Sequence, residues 1–380
     1  MTQAASDTAP PHPADPPPLR LMQVMASAGH GGAEGFFVRL CGALARYGIP
    51  QTVVIRRGAA CGAALREAGI TPVELPFRRL LDLTTRPRLR RLVARHRPTV
   101  VLSWMSRAAM LCPPGQYIQG QDTQSEHTHG KHIHVGRLGG YYDLKYYRTC
   151  DHLIGNTEDI ARYLVREGWP ADRAHYLPNF VETAGVTPVP RAMADTPDGV
   201  PLLIALGRLH PHKAFDTLLR ALAGLPGAYL WLAGEGPDDA MLRQLAASLG
   251  VLDRVRFLGW RDDAGALIAA ADILVCPSRI EPLGNVILEG WSRARPVVAA
   301  AAVGPLGLIK DGETGLLVPI DDPAALAGAL SRVLADPILA ARLAETGRVE
   351  GETRFGEQSV VERYVGLLSR LGIASGASSA

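Results

Sequence analysis

The stretch PLLIALGRLHPHKAFDTLLRALAG, residues 201–224, places an apolar run of strand length, a basic turn and an amphipathic helix in succession. An uninterrupted apolar run this short, bounded by glycine, predicts a strand covered on both faces, as in a parallel sheet. The same unit then repeats. YLWLAG (229–234) precedes DDAMLRQLAASLG (238–250), VRFLGW (255–260) precedes DDAGALIAAA (262–271), and ILVCPS (273–278) precedes NVILEGWSRA (285–294). PVVAA (296–300), GLLVPI (315–320) and a helix over 323–334 complete the series. Six short strands separated by helices predict a doubly wound α/β domain over 201–356.

The upstream half follows the same logic. LRLMQVM (19–25), the turn SAGHGG and the helical AEGFFVRLCGALARYG form a βα unit ending at Gly48, and QTVVIR (51–56), TVVLSW (99–104) and DHLIGN (151–156) are further strands. Residues 20–182 are therefore expected to form a second Rossmann-like domain. The segment 181–201 carries four prolines and no sustained period, which predicts a linker over 183–200. A last helical stretch, 357–371, is expected to return to the first domain, since a single crossing would leave the pair loosely tethered. The Pro- and Ala-dominated residues 1–19 and the tail 372–380 (GIASGASSA) are expected to be disordered.

Bulk properties narrow the class. A chain of 380 residues exceeds the size of one ordinary hydrophobic core, so two domains facing across a cleft are the natural expectation. Residues 1–19 lack the basic start and apolar core of a secretion signal. The longest apolar stretch, Pro296 to Ile309, is broken by two prolines and two glycines and is too short to span a bilayer. Five scattered cysteines with no C-x-x-C spacing argue against disulfides or a zinc site and suit a reducing cytoplasm. From Arg20 to Glu182, 22 lysines and arginines stand against 13 acids, an excess of nine within a chain of net charge +3. The densest part runs from Arg78 to Arg97, with Asp82 the only acid between them. It reads either as a peripheral contact with an anionic membrane or acceptor, or as a solvated helix face. Nucleic acid is not an indicated partner.

The second half gathers groups suited to a phosphorylated ligand rich in hydroxyls: cations, carboxylates and a turn whose backbone can approach phosphate closely. Arg208 and Lys213 follow Gly207 at the carboxyl end of a predicted strand, where open α/β sheets bind ligands. Glu281-Pro282-Leu283-Gly284-Asn285 forms a loop leading into a helix start, and Gly284 permits backbone to approach an anion at the first-turn amides. Glu289 stands one turn into that helix among apolar neighbours, so its charge needs a partner.

EPLGNVILEG (281–290) resembles the E-x7-E motif of the family 4 retaining glycosyltransferases, whose fold is GT-B, two facing Rossmann-like domains with an interdomain cleft. GRLHPHKAFDTLL is similar to that family's G-R-L-x-x-x-K-G-x-x-x-L, and LAGEGPDDAMLRQLAASLGVLDRVRFLGW and KDGETGLLVPIDDP match its following landmarks. The resemblance covers nearly all of 200–335. It implies a metal-independent hexosyltransferase-like enzyme with no cofactor beyond a nucleotide diphosphate sugar donor and a glycan or lipid-linked acceptor, as in cell-envelope polysaccharide or lipopolysaccharide synthesis. It further implies that Arg208 and Lys213 hold the pyrophosphate, that Glu281 contacts the transferred sugar and that Glu289 contacts the ribose. GHGGAE (29–34) is similar to the family's G-G-x-E turn, with Gly31 and Gly32 facing the phosphates. Location is then cytoplasmic, at the inner face of the plasma membrane.

One departure stands out. Many relatives carry a His-Gly acceptor segment where this chain has GRLGGYYDLKYY (136–147), so His134 or Arg137 is the candidate for touching the acceptor. His127, His129, His132 and His134 have spacing compatible with a metal, yet no carboxylate pattern supports one. The alternatives are an NADP-dependent oxidoreductase, suggested by Gly29-His30-Gly31 with Arg56 and Arg57, a nucleotide-sugar epimerase, and an inactive nucleotide-sugar-binding scaffold. For the oxidoreductase, the third glycine position is Glu34.

Overall fold

The computed structural model describes residues 19–29, 31–78, 82–115, 132–181 and 185–377. Its first sheet contains β1 (Leu21–Met25), β2 (Gln51–Arg56), β3 (Val73–Leu75), β4 (Val100–Trp104), β5 (Ile133–Leu138), β6 (His152–Gly155) and β7 (Ala174–Tyr176). All pairs are parallel, in the order β3-β2-β1-β4-β5-β6-β7. Helices α1 (Gly32–Arg46), α2 (Cys61–Glu67), α3 (Thr85–His96), α4 (Met105–Leu111) and α5 (Glu158–Arg166) belong to the same half. Because helices cover both faces, β1 and β4 are buried along their whole length. Gln23 is tolerated in the middle of β1 because its amide bonds Gln51 Oε1 at 2.9 Å and accepts from Trp104 Nε1 at 3.1 Å.

The second sheet has β8 (Leu202–Leu206), β9 (Tyr229–Ala233), β10 (Val255–Gly259), β11 (Ile273–Cys276), β12 (Val297–Ala300) and β13 (Leu316–Val318), in the order β10-β9-β8-β11-β12-β13. Its helices are α6 (Phe215–Ala223), α7 (Asp239–Ser248), α8 (Ala264–Ala270), α9 (Asn285–Ser292), α10 (Val303–Leu308), α11 (Pro323–Ala335) and α12 (Pro337–Phe355). All six strands match the apolar runs. In the first sheet β3, β5 and β7 go beyond the four strands expected from sequence.

Two joints hold the halves together. The Pro-rich segment is docked onto the second half: Val189 N–H bonds the Ala266 carbonyl, Arg191 pairs with Asp272 at 2.7 Å, and Trp231 Nε1 donates to the buried Thr196 at 2.8 Å. The last helix, α13 (Glu357–Ala377), crosses to the first sheet and packs against α1, β4 and β5, burying Val360, Val361, Tyr364 and Leu368 in that core. Gly372 to Ala377 extend this helix, which corrects the expected disordered tail over those residues. Gly372 lies close on Thr99, so the helix has a surface to continue along.

Candidate active site

The loops after β8 and β11 lie side by side at the carboxyl edge of the second sheet. Gly207, with φ +147°, lets the Lys213 stem pass close by, where a Cβ would sit 3.2 Å from Lys213 Cε. Ala214 follows in the left-handed region (φ +52°), at the position where the sequence pattern has glycine. The backbone N–H groups of Arg279 and Ile280 both bond the His212 carbonyl. Arg279 locks the junction by pairing with Asp216 at 2.8 Å and Asp321 at 2.6 Å and by donating to the Pro211 carbonyl at 2.7 Å. The spacing of charges in sequence gave no sign of this clamp.

Its result is a tight ion pair. Lys213 Nζ donates to Glu281 Oε2 at 2.5 Å, and the same carboxylate accepts from Ser278 Oγ at 3.2 Å and from the Gly284 N–H at 3.3 Å. Glu281 is only 9% exposed. Burial of Lys213 opposes its charge, but the Glu281 carboxylate outweighs that and holds the ammonium above its usual pKa. Arg208 is exposed on the same loop and has no side-chain partner among the described residues. A polyanion entering the cleft therefore meets one free and one pre-aimed cation.

Two helix starts converge opposite each other. Gly284 (φ +84°) precedes Asn285, the first residue of α9, while Gly31 precedes Gly32, the first of α1, and neither helix has a side-chain cap. Their first-turn amides are therefore available to an anion. A Cβ on Gly32 would lie 3.2 Å from Asn285 Nδ2, so the start of α1 packs against the start of α9. Asn285 Oδ1 accepts from Asn179 Nδ2 at 2.9 Å. Leu283 is buried beside the turn. The α9 helix is anchored by Trp291, which is fully buried, donates to the Thr314 carbonyl at 2.8 Å and fills the notch over Gly347 of α12.

Glu289 faces this cleft from α9. Burial raises its carboxyl pKa, and the opposing pull of Arg39, Arg293 and Lys213 does not cancel that. Arg39 comes from α1, so part of the positive charge acting on Glu289 arrives from the other half. With the folded pKa raised, the group stabilises the fold only below its unfolded pKa, and that contribution is lost as pH rises through the folded value. Glu289→Gln is thus expected to raise the melting temperature at pH 8, with the gain vanishing toward pH 4. The same variant is expected to lose about tenfold in affinity for a nucleotide ligand through lost hydrogen bonds. Calorimetry across that pH range checks the first and titration of the nucleotide the second.

This geometry has counterparts. The model of glycosyl transferases group 1 matches residues 200–336, and that of glycosyltransferase family 4 matches residues 30–184. The lipopolysaccharide core biosynthesis glycosyltransferase LpsE of Rhizobium meliloti is 38% identical over 342 residues, 89% of this chain and 96% of the relative. The chain belongs to glycosyltransferase family 4. It is a glycosyltransferase of the GT-B fold. LpsD of the same organism is 35% identical over 90% of this chain and 95% of the relative. Among solved structures, Anabaena Alr3699/HepE in complex with UDP-glucose superposes with a TM-score of 0.78 at 21% identity, covering 93% of this chain and all of that one. WaaG, a glycosyltransferase involved in lipopolysaccharide biosynthesis, gives 0.67 at 20% identity over 92% and 99%.

For this family 4 enzyme, the acceptor-side candidates need correction. His134 is fully buried in β5, with Nε2 at 2.8 Å from Ser103 Oγ and Nδ1 at 2.8 Å from the Thr149 carbonyl. Burial pushes its pKa down to about 3, so it is a neutral core imidazole out of reach of any molecule in the cleft. Arg137 is also buried, its guanidinium between the Phe36 and Trp104 rings (4.8 and 4.4 Å), with Nε on Tyr364 Oη at 2.8 Å and a further bond to Asn179. Through Asn179 it is linked to Asn285, and at 2% exposure it does not open to the cleft. His127 and His129 lie outside the described residues. Gly304, which sequence reasoning missed, lies against the loop bearing Glu281 and donates its N–H to the Glu281 carbonyl at 2.8 Å.

Proposed function

We propose that this enzyme transfers a sugar from a nucleoside diphosphate sugar to a lipid-linked core oligosaccharide of lipopolysaccharide, with retention of anomeric configuration and without a metal ion. The observation that carries the reading is the convergence of Lys213, Glu281 and the uncapped starts of α1 and α9 on one point of the cleft. Lys213, Arg208 and the two helix starts supply the charge compensation that a metal otherwise provides for a departing diphosphate. Glu281 accepts hydrogen bonds from the transferred sugar, and Glu289 from the ribose. The bond from the anomeric carbon to the phosphate oxygen breaks, the acceptor oxygen bonds on that same face, and its proton passes to the departing phosphate. No protein base is required in this scheme, which agrees with the burial of His134. The acceptor class rests on the names of the two Rhizobium relatives.

A second feature bears on location. Arg86, Arg88, Arg90, Arg91, Arg95 and Arg97 are exposed on or just after α3, whose Leu89 and Val93 face inward, and Leu83 is 81% exposed beside them. We assign this face to the anionic inner leaflet of the plasma membrane. Five buried free thiols suit that compartment. Co-sedimentation with anionic vesicles that weakens in high salt tests the assignment.

A nucleotide-sugar panel tests the activity. One donor, with UDP-glucose first because the Anabaena neighbour holds it, is expected to raise the melting temperature by several degrees at saturating concentration. Transfer is expected to continue in EDTA and to give a product of unchanged anomeric configuration by NMR. Turnover of the donor without any acceptor would instead mark an epimerase, and stabilisation by none of the donors would remove the reading.

A further inference from the structure

A cavity of about 340 Å³ opens at the carboxyl ends of β1, β2 and β4, lined by residues of the first half alone. This is the switch point of the first sheet, where strand order runs from β1 to β2 and β3 on one side and to β4 on the other, and where open α/β sheets leave a crevice for ligands. Its volume suits one monosaccharide unit rather than a whole nucleotide sugar. Arg56 enters it from the end of β2 and Arg107 from α4, and its wall includes Ser27, Ser106 and Tyr142 but no carboxylate. Among the described residues neither guanidinium has an ion-pair or side-chain hydrogen-bond partner, and Arg107 Nε is shielded from solvent without one.

Two arginines without a compensating acid, one with a buried unpaired N–H, cost free energy until an anion fills the space between them. The backbone adds a second sign. Met105, between β4 and the rest of α4, holds φ +65°, a conformation that costs a residue with a Cβ of order 1–2 kcal/mol. Strain of this kind clusters at ligand sites, and the adjacent Ser106 and Arg107 both line the cavity, with Ser106 Oγ 3.2 Å from Tyr147 Oη. The loop bearing Ser27 and Ala28 leads to Gly31 and Gly32, and Gly32 packs against Asn285. Tyr142 lines the far wall, and burial together with the α1 carboxylate Glu34 raises its phenol pKa. The cavity therefore lies beside the place proposed for the donor phosphates.

We propose that this cavity is an anion subsite for the acceptor, taking a sugar unit that carries a phosphate or carboxylate group. Arg56 and Arg107 pair with the anion, and Ser27, Ser106 and Tyr142 meet the sugar hydroxyls. The proposal rests on the glycosyltransferase reading and specifies the acceptor's chemistry.

The test uses the full chain saturated with UDP, so that the donor side is occupied, and titrates a hexose 6-phosphate, a hexuronic acid and a neutral hexose by calorimetry. At least one acidic sugar is expected to bind ten times tighter than the neutral one, and which of the two does so identifies the anion. Arg107→Ala and Arg56→Ala are each expected to weaken that binding about 10- to 100-fold, Arg107→Lys less, with UDP affinity unchanged in all three. The melting temperature of unliganded Arg107→Ala is expected not to fall and to rise slightly, since the side chain has no partner to lose and its buried unpaired N–H is removed. Equal binding of acidic and neutral sugars, or indifference to both alanine variants, overturns the subsite. Displacement of the acidic sugar by NADPH would overturn it too, in favour of a dinucleotide pocket. Failure of UDP to bind is a separate result that overturns the donor reading.

Discussion

Replacing Lys213 by alanine lowers kcat about 100- to 1000-fold, the usual loss when one preorganised donor to a developing anion is removed. The same change destabilises the unliganded protein by about 3 kcal/mol, because Glu281, almost fully buried, loses the cation it pairs with at 2.5 Å. Single-turnover kinetics and calorimetry separate the two effects. Lys213→Arg keeps a charge beside Glu281 and most of the stability, yet its planar fork cannot follow the path of the lysine stem over Gly207, so the rate stays depressed. A melting temperature that falls in Lys213→Ala without any loss of rate would make the pair purely structural.

Gly304→Ala is the second large effect, at a residue that touches no reacting group. A Cβ there would lie 2.5 Å from the Glu281 carbonyl oxygen and within 2.9 Å of Leu283 backbone atoms, none of which can rotate aside. The loop must shift, and with it Glu281 and the start of α9. The expected cost is 1–3 kcal/mol of stability by overpacking, on the order of a hundredfold in kcat by misplacement, and little change in acceptor affinity. Gly307→Ala, on the same short helix with open space around it, serves as the control and is expected to retain parental activity. If both variants behave alike, contact with the Glu281 loop is not what Gly304 provides.

Much of the second half was legible because its chemistry is local. Glu281, Gly284, Asn285 and Glu289 fall on one loop and one helix, and the apolar runs on either side mark where that helix begins. The first half was harder to read for a physical reason. IHVGRL contains His134, Gly136 and Arg137 and lacks the apolar run of a central strand, yet it is buried throughout as β5. Its polar groups are satisfied by Ser103, Thr149, Tyr364 and Asn179, all distant in sequence. At three residues each, β3 and β7 are too short for any periodicity to show.

The two α/β halves, the order of their units and the carboxylates and cations of the second half follow from local pattern alone, because burial periodicity and turn chemistry act over a few residues. Which groups meet depends instead on long-range packing. Arg39 faces Glu289, Asn179 reaches Asn285, Gly32 makes room for that asparagine, and Arg56 and Arg107 share a cavity without an acid. These encounters depend on how α13 and the docked Pro-rich segment fix one half against the other, and on the strand order that brings β2 and β4 to either side of β1.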